Sequence, residues 1–278
     1  MGSYLRPTTL EEALGALGAG PQLVFAGGTD VYPARVGRPI DDDVLDIGGL
    51  PALRAITVED GRCRLPALTT WSDLIRADLP ARFDGLTAAA RAVGGVQIQN
   101  RGTIVGNLCN ASPAADGLPN LMALDARVEL TSASGRREVA CGEFVVGNRR
   151  TVRRPDELVT AILVPMPATE ARSTFLKLGA RAYLVISIAM VAAVVDLGKD
   201  GRISSARVVV GACSEVPVHV PAVEARLVGL TLAEAGRIHV VAGDVAHLTP
   251  IDDVRAPAAY RRDAARILVR RAVAELAR

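Results

Sequence analysis

The chain is poor in the residues that hold metals and disulfides. Its four cysteines, Cys63, Cys109, Cys141 and Cys213, are scattered with no C-x-x-C pair, and its three histidines, His219, His239 and His247, share no ligand spacing with them. This argues against a zinc site or an iron–sulfur cluster carried by this chain alone, and it predicts reduced, packed thiols. An excess of either charge is also missing. The 32 basic and 30 acidic residues are interspersed and leave a net charge of +2, so there is no basic face for nucleic acid and no acidic tail. The opening "MGSYLRPTTL" lacks the apolar core of a secretion signal, and Arg6 stands where a myristoylation signal needs Ser or Thr. These readings predict a cytoplasmic protein. Long apolar runs are absent with one exception, residues 182–195, "AYLVISIAMVAAVV". That run is too short to span a membrane and predicts one long buried strand.

What is present is enough apolar sequence, half of 278 residues, for one large domain or two of ordinary size. Thr8-Thr9-Leu10-Glu11 has the spacing of a capping box, and Leu10, Leu14 and Leu17 share a helical face that ends at Gly18 and Gly20. A strand is expected over 23–26 and another over 44–47. Helices are expected in "LTTWSDLIRAD" and in the alanine-rich "GLTAAARAVGG". Residues 96–119, rich in Gly, Asn, Ser and Pro, read as a long structured loop, which is uncommon in a compact domain unless it binds something. "RVELTSASGRREVACGEF" predicts a hairpin, and Pro165 and Pro167 predict a linker. Beyond the linker, three apolar segments joined by turns predict an antiparallel sheet. Ala265, Val269, Ala272 and Leu276 then mark the buried face of a terminal helix with arginines on its other face.

Two segments carry candidate chemistry. In Phe25-Ala26-Gly27-Gly28-Thr29-Asp30, after a short apolar strand, the glycines can turn successive N–H groups toward one point and Thr29 can add a hydroxyl, as in an anion-binding nest. An ordinary turn is the alternative. The Rossmann fingerprint does not apply, because the glycines of Gly15-Ala16-Leu17-Gly18-Ala19-Gly20 fall in another order at a helix end. Arg101-Gly102-Thr103-Ile104-Val105-Gly106-Asn107 repeats the chemistry of the first segment. Two such loops could grip one extended cofactor from both sides.

With Ala111-Ser112-Pro113-Ala114-Ala115-Asp116 added, the chain resembles the FAD-binding medium subunits of the molybdenum hydroxylases, the xanthine dehydrogenase and carbon monoxide dehydrogenase group. "FAGGTD" is similar to that family's A-G-G-[TH]-[DS] loop, "RGTIVGNLCNASPAADGLPNLMALDA" to its R-x-G-T-I-G-G-N-x-x-x-A-S-P-x-x-D loop, and "YRRDAARILVRRAV" to its last helix. The resemblance implies an α+β chain. Residues 1–167 would form a PCMH-type FAD-binding domain of two α+β subdomains, and 168–278 a small C-terminal domain of the carbon monoxide dehydrogenase flavoprotein type. It implies that Val24, Phe25, Ala26, Gly27, Gly28, Thr29, Asp30 and Val31 wrap the pyrophosphate and reach toward the isoalloxazine. Thr103, Ile104, Val105, Gly106 and Asn107 would form the opposing wall, and Ser112 and Asp116 would bond the ribityl chain and ring edge. Val93 would pack against the cofactor, Thr160 and Lys177 would line the adenine end, and Arg181 and Tyr183 lie on the segment approaching the flavin face. Val105 stands where the family has glycine, so either the backbone there avoids positive φ or the loop is reshaped. Thr29 replaces a histidine found in some members, so the FAD is expected to be non-covalent. From the residues alone, Asp116 could instead cap a helix at Leu118, Tyr183 could be a strand aromatic, and Arg181 a solvated strand end.

The implied function is electron transfer. A molybdopterin-bearing large subunit would oxidise substrate, a small subunit would relay electrons through [2Fe–2S] clusters, and FAD here would pass them to an external acceptor such as NAD, a quinone, ferredoxin or oxygen, in a dimer of heterotrimers. No residue of this chain is predicted to be catalytic or to bind metal. A self-sufficient FAD oxidase or reductase and a flavin-free scaffold are the alternatives.

Overall fold

The first helix begins one residue later than the spacing predicts. In the computed structural model, which describes residues 2–278, Thr9 caps α1 (Leu10–Ala19) and Glu12, not Glu11, completes the box. The Thr9 hydroxyl accepts from the Glu12 N–H at 3.2 Å, and the Glu12 carboxylate accepts from the N–H groups of Thr8 and Thr9 at 2.9 and 3.3 Å. The helix joins β1 (Tyr4–Leu5) to β2 (Leu23–Phe25), and β3 (Val44–Asp46) lies between these strands, parallel to both. Val24 and Leu45 face the core.

A five-stranded antiparallel sheet follows, in the order β4-β5-β10-β6-β7. Its members are β4 (Thr57–Glu59), β5 (Arg62–Pro66), β6 (Arg127–Ser132), β7 (Gly135–Ala140) and β10 (Leu158–Pro165); between the last two come α7 (Cys141–Phe144) and the ribbon of β8 (Val145–Gly147) with β9 (Arg150–Thr151). Five helices sit between β5 and β6: α2 (Trp71–Arg76), α3 (Asp84–Ala92), α4 (Val96–Gln99), α5 (Ile104–Asn110) and α6 (Gly117–Ala123). The segment 96–119 is therefore largely helical rather than one loop. Composition misleads here because a cap and burial override weak propensity: the Thr103 hydroxyl accepts from the Gly106 N–H at 2.9 Å, and Ile104, Val105 and Leu108 are buried.

The C-terminal sheet runs β11-β12-β13-β14, all antiparallel, with β11 (Ala171–Leu178), β12 (Ala189–Leu197), β13 (Ile203–Gly211) and β14 (Val218–His219). The helices α8 (Pro221–Leu227), α9 (Leu232–Ala235) and α10 (Ala258–Leu276) complete it. Strand β12 is apolar at every position but Asp196 because both its faces are covered. Met190, Ala192 and Val194 join the core of the N-terminal half, while Ala189, Val191, Ala193 and Val195 join the core under α8 and α10. The apolar run 182–195 is not one strand, however. Its first part belongs to the connection 179–188, with Tyr183, Leu184 and Ile186 exposed and Leu184 in the left-handed region at φ 53°. The buried positions on α10 include the four expected, but Arg261 is also buried, against the carbonyls of Ile188 and Ala212 and the Asp253 carboxylate. Between the halves Asp196 accepts hydrogen bonds from Arg82 and from Arg207, the latter at 2.6 Å, with all three side chains mostly buried. No helix among the described residues is long and apolar enough to cross a membrane.

Candidate functional site

Two glycines decide how the first loop meets the second. A Cβ on Gly27 would lie 1.9 Å from the carbonyl oxygen of Arg101, so only glycine lets the backbones at 27 and 101–102 touch. Gly28 has φ 72°, and a Cβ there would meet the ring of Phe25 at 2.6 Å and that of Tyr32 at 3.0 Å. Phe25 and Tyr32 themselves pack edge to face with centroids 5.7 Å apart. Across the junction a Cβ on Gly102 would approach the Thr29 Oγ1 at 3.3 Å. Among the described residues no acceptor takes the N–H groups of Gly27, Gly28, Thr29, Asp30 or Val31. A run of free peptide donors around a left-handed glycine is the kind of backbone on which anion-binding nests are built.

The second loop is fixed from behind by Trp71. Its N–H donates to the Gly102 carbonyl at 3.1 Å, the Ile104 N–H donates to the Thr69 carbonyl at 3.1 Å, and the indole packs against Gly102 and Gly117. Thr103 is committed to capping α5, and the side chains of Ile104 and Val105 are core. Asn107 accepts from the Gly117 N–H at 3.3 Å and so joins the 101–107 segment to the one ending at Asp116. Ser112 accepts from the Ala114 N–H at 3.3 Å. Val105 sits in the first turn of α5 with no positive φ, so the backbone accommodates it without reshaping.

Asp116 does not cap α6; its side chain turns away from the helix start. One carboxylate oxygen accepts from Lys177 Nζ at 2.6 Å and the other from Ser187 Oγ at 2.6 Å, while Lys177 also reaches the Ala92 carbonyl, beside Val93, at 3.4 Å. Burial pushes the Asp116 carboxyl above the ordinary carboxylate range, against the pull of the Lys177 ammonium and the two hydrogen bonds. Arg181 folds onto the Leu184 carbonyl, and Tyr183 is 77% exposed. The Leu184 side chain lies 3.3 Å from where a Gly95 Cβ would stand, which places this segment against the strip 92–98.

The structure thus links 24–31 to 101–107 through Gly27 and Arg101, 101–107 to 112–116 through Asn107 and Gly117, and Asp116 to Lys177 and so to the strip beside Val93, while Arg181 and Tyr183 lie on the connection whose Leu184 packs beside Gly95. It does not bring Thr160 to them. Thr160 is 1% exposed in β10, and its hydroxyl is shared between Thr131, at 3.0 Å, and the carboxylate of Glu129, which Arg64 also holds. Trp71 and Ser187 are at the site without having been singled out in the sequence. Trp71 is the only tryptophan and follows a capping threonine, a signal that was available; nothing local marks Ser187. A concavity of about 650 Å³ lined by residues including Met122, Val216, His219, Ala222 and His247 shares no residue with these loops.

The sequence pattern of the family described as "FAD binding domain in molybdopterin dehydrogenase" matches residues 1–167, and that of the "CO dehydrogenase flavoprotein C-terminal domain" matches residues 174–276. The nicotinate dehydrogenase FAD-subunit of Eubacterium barkeri is 35% identical over 82% of this chain and 80% of its own. The glyceraldehyde dehydrogenase medium chain of Sulfolobus acidocaldarius is 31% identical over 99% and 98%. Among solved structures, the reconstituted carbon monoxide dehydrogenase from Oligotropha carboxidovorans contains a chain that superposes with a TM-score of 0.88 at 28% identity, covering 98% of this chain and 96% of that one.

Proposed function

The chain belongs to the FAD-binding medium subunits of the molybdenum hydroxylase-type dehydrogenases, and on that premise we propose that it is the electron-transfer subunit of such a complex. In this reading residues 1–167 hold FAD without a covalent bond and 168–278 complete the site. Bound FAD supplies the ability to take electrons singly and release them in pairs. The residues of the chain bind and orient. The peptide donors of 27–31 offset the diphosphate charge, the Gly27 contact with Arg101 keeps the two loops closed on one ligand, and Trp71 holds the second loop from behind. Electrons come from the [2Fe–2S] clusters of a small subunit, substrate is oxidised at the molybdopterin of a large one, and an external acceptor such as NAD, a quinone or ferredoxin receives the electrons. A cytoplasmic dimer of heterotrimers belongs to the same reading. Thr160 is left out of it, because its hydroxyl is already used inside the sheet.

The observation that carries this is the pair of loops locked glycine to carbonyl, with five N–H groups of the first loop unpaired. The test is the purified full chain, alone and co-purified with its small and large subunits. The expected result is stoichiometric FAD released intact on denaturation, no turnover of substrate by the chain alone, and reduction of an acceptor by the assembled complex. A chain that turns over alone is an oxidase, and one flavin-free in both preparations is a scaffold; either result overturns the proposal.

A further inference from the structure

The ladder between β11 and β12 ends at the pair Leu178 and Ala189, and Ile188 N–H donates to the Leu178 carbonyl at 2.8 Å. Residues 179–187 lie beyond it and carry Arg181 and the exposed Tyr183, Leu184 and Ile186. Among the described residues, a single hydrogen bond connects 179–187 to the rest of the chain: Ser187 Oγ to Asp116 Oδ1, at 2.6 Å. The segment's other side-chain bond is internal, from the Arg181 guanidinium to the Leu184 carbonyl. Both Ser187 and Asp116 are buried, and the second oxygen of the same carboxylate is held by Lys177, the penultimate residue of β11. The two stems of this connection therefore converge on one carboxylate, which is supplied by the other half of the chain next to the second loop.

We propose that Ser187 is a positioning residue: with Lys177 it clasps both stems of the 179–188 connection to Asp116 and so sets where Arg181 and Tyr183 stand beside the cofactor loops. Desolvating this carboxylate is costly, and a buried ion pair contributes little to stability when an apolar contact could replace it. Such a pair earns its place by fixing one arrangement of a segment whose other polar anchors are confined to its last residue, Ile188, held by the Leu178 carbonyl and by Arg261. The benefit to the cofactor rests on the FAD reading above; the clasp itself does not.

The connection contains a built-in reporter, because trypsin cuts after an exposed Arg181. Full-length wild type, Ser187→Ala and Ser173→Ala are digested briefly well below their melting temperatures. Cleavage at Arg181–Ala182 is measured by mass spectrometry relative to cleavage after Lys199, in the turn between β12 and β13. Ser173 is a fair control, since its hydroxyl also crosses between the halves, donating to the Ala81 carbonyl at 3.0 Å, but it lies outside the connection. Loss of a hydrogen bond to a charged partner should speed the relative cleavage in Ser187→Ala by about 10-fold and leave Ser173→Ala at the wild-type ratio. In FAD-loaded protein the visible circular dichroism of the flavin changes in Ser187→Ala and not in Ser173→Ala. Equal relative cleavage in wild type and Ser187→Ala, or an equal rise in Ser173→Ala, overturns the clasp. Absence of bound FAD in every sample would refute the functional reading and leave the cleavage result to decide the clasp.

Discussion

Asp196 is where the joint between the two halves can be broken with least disturbance of volume. Its carboxylate accepts from Arg82 of the N-terminal half, from Arg207 at 2.6 Å and from Ser205 at 3.1 Å, and its side chain is 9% exposed. Asp196→Asn keeps the shape and removes the charge, so that two guanidinium groups face a neutral amide. Breaking a buried pair in this way costs about 3–5 kcal/mol. Arg207 retains Asp125 at 3.0 Å and the Ala123 carbonyl at 2.6 Å, which places the cost near the lower end, about 3 kcal/mol. Urea unfolding followed by the fluorescence of Trp71 and by far-ultraviolet circular dichroism should show both probes moving together, since Phe175, Met190 and Val209 of the C-terminal sheet share a core with Leu86 and Leu121. With an m-value of about 3 kcal/mol per molar the midpoint falls by about 1 M. The pH dependence has a definite sign. Burial alone would raise the Asp196 carboxyl, but hydrogen bonds and charge from Arg207 and Arg82 more than offset it and hold it below its ordinary value. Its contribution is therefore present above the unfolded carboxyl pKa of about 3.9 and is lost as pH falls through the lowered native value. The gap between wild type and Asp196→Asn stays constant from neutral pH to about 5 and closes in acid. A variant within about 1 kcal/mol of wild type at neutral pH would refute the network as the joint.

Gly27→Ala puts a methyl group into the Arg101 carbonyl, so the two loops must part; FAD affinity falls by about 100-fold or more in a flavin titration, and an affinity within about threefold of wild type contradicts the shared site. Thr160→Val deprives the Glu129 carboxylate of a buried donor and lowers stability by about 1–2 kcal/mol, while FAD affinity stays at the wild-type value; a weakened flavin titration would return Thr160 to the site. Burial pushes the thiols of Cys109 and Cys141 up to about 12 and those of Cys63 and Cys213 up to about 11, so the native chain resists a disulfide reagent at pH 8 and the thiols react together in urea. Cys63, Cys141 and Cys213 are buried and Cys109 packs half-buried against the core, and a cysteine that reacts within seconds in the native chain contradicts that packing.

What could be read from the sequence was the part written in backbone requirements. Glycine at 27 and 28 announces a turn that brings backbone N–H groups together, the Thr8-Thr9 pair announces the cap of α1 to within one residue, and the spacing of Ala265, Val269, Ala272 and Leu276 announces a buried helical face; each is a local rule with one residue-level cause. Apart from the segment 96–119, where composition outweighed a local cap, the larger readings that failed depended on partners distant in sequence. The apolar run from 182 reports burial or apolar exposure without saying which; its first part lies outside the sheet, and Ser187 there bonds a carboxylate 71 residues earlier. Arg261 is buried, contrary to the amphipathic pattern, because three carbonyls and Asp253 converge on it from other elements. The resemblance puts Thr160 at the adenine end of the cofactor, whereas its hydroxyl is committed inside the sheet to Thr131 and to the Glu129 carboxylate that Arg64 also holds.

Val105 shows why departure from a family pattern has to be weighed by conformation rather than by residue type. Where a glycine is retained for positive φ, a β-branched replacement is strained whatever its surroundings. At 105 the chain is already helical, the side chain is buried among the core of α5, and the glycine that the turn requires is its neighbour: a Cβ on Gly106 would lie 2.8 Å from the Thr103 Oγ1 that caps the helix. The substitution therefore adds apolar burial behind the second loop without touching the peptide groups that face the first. That leaves the loop pairing intact, and with it the site at which the two halves of the chain meet through Asp116.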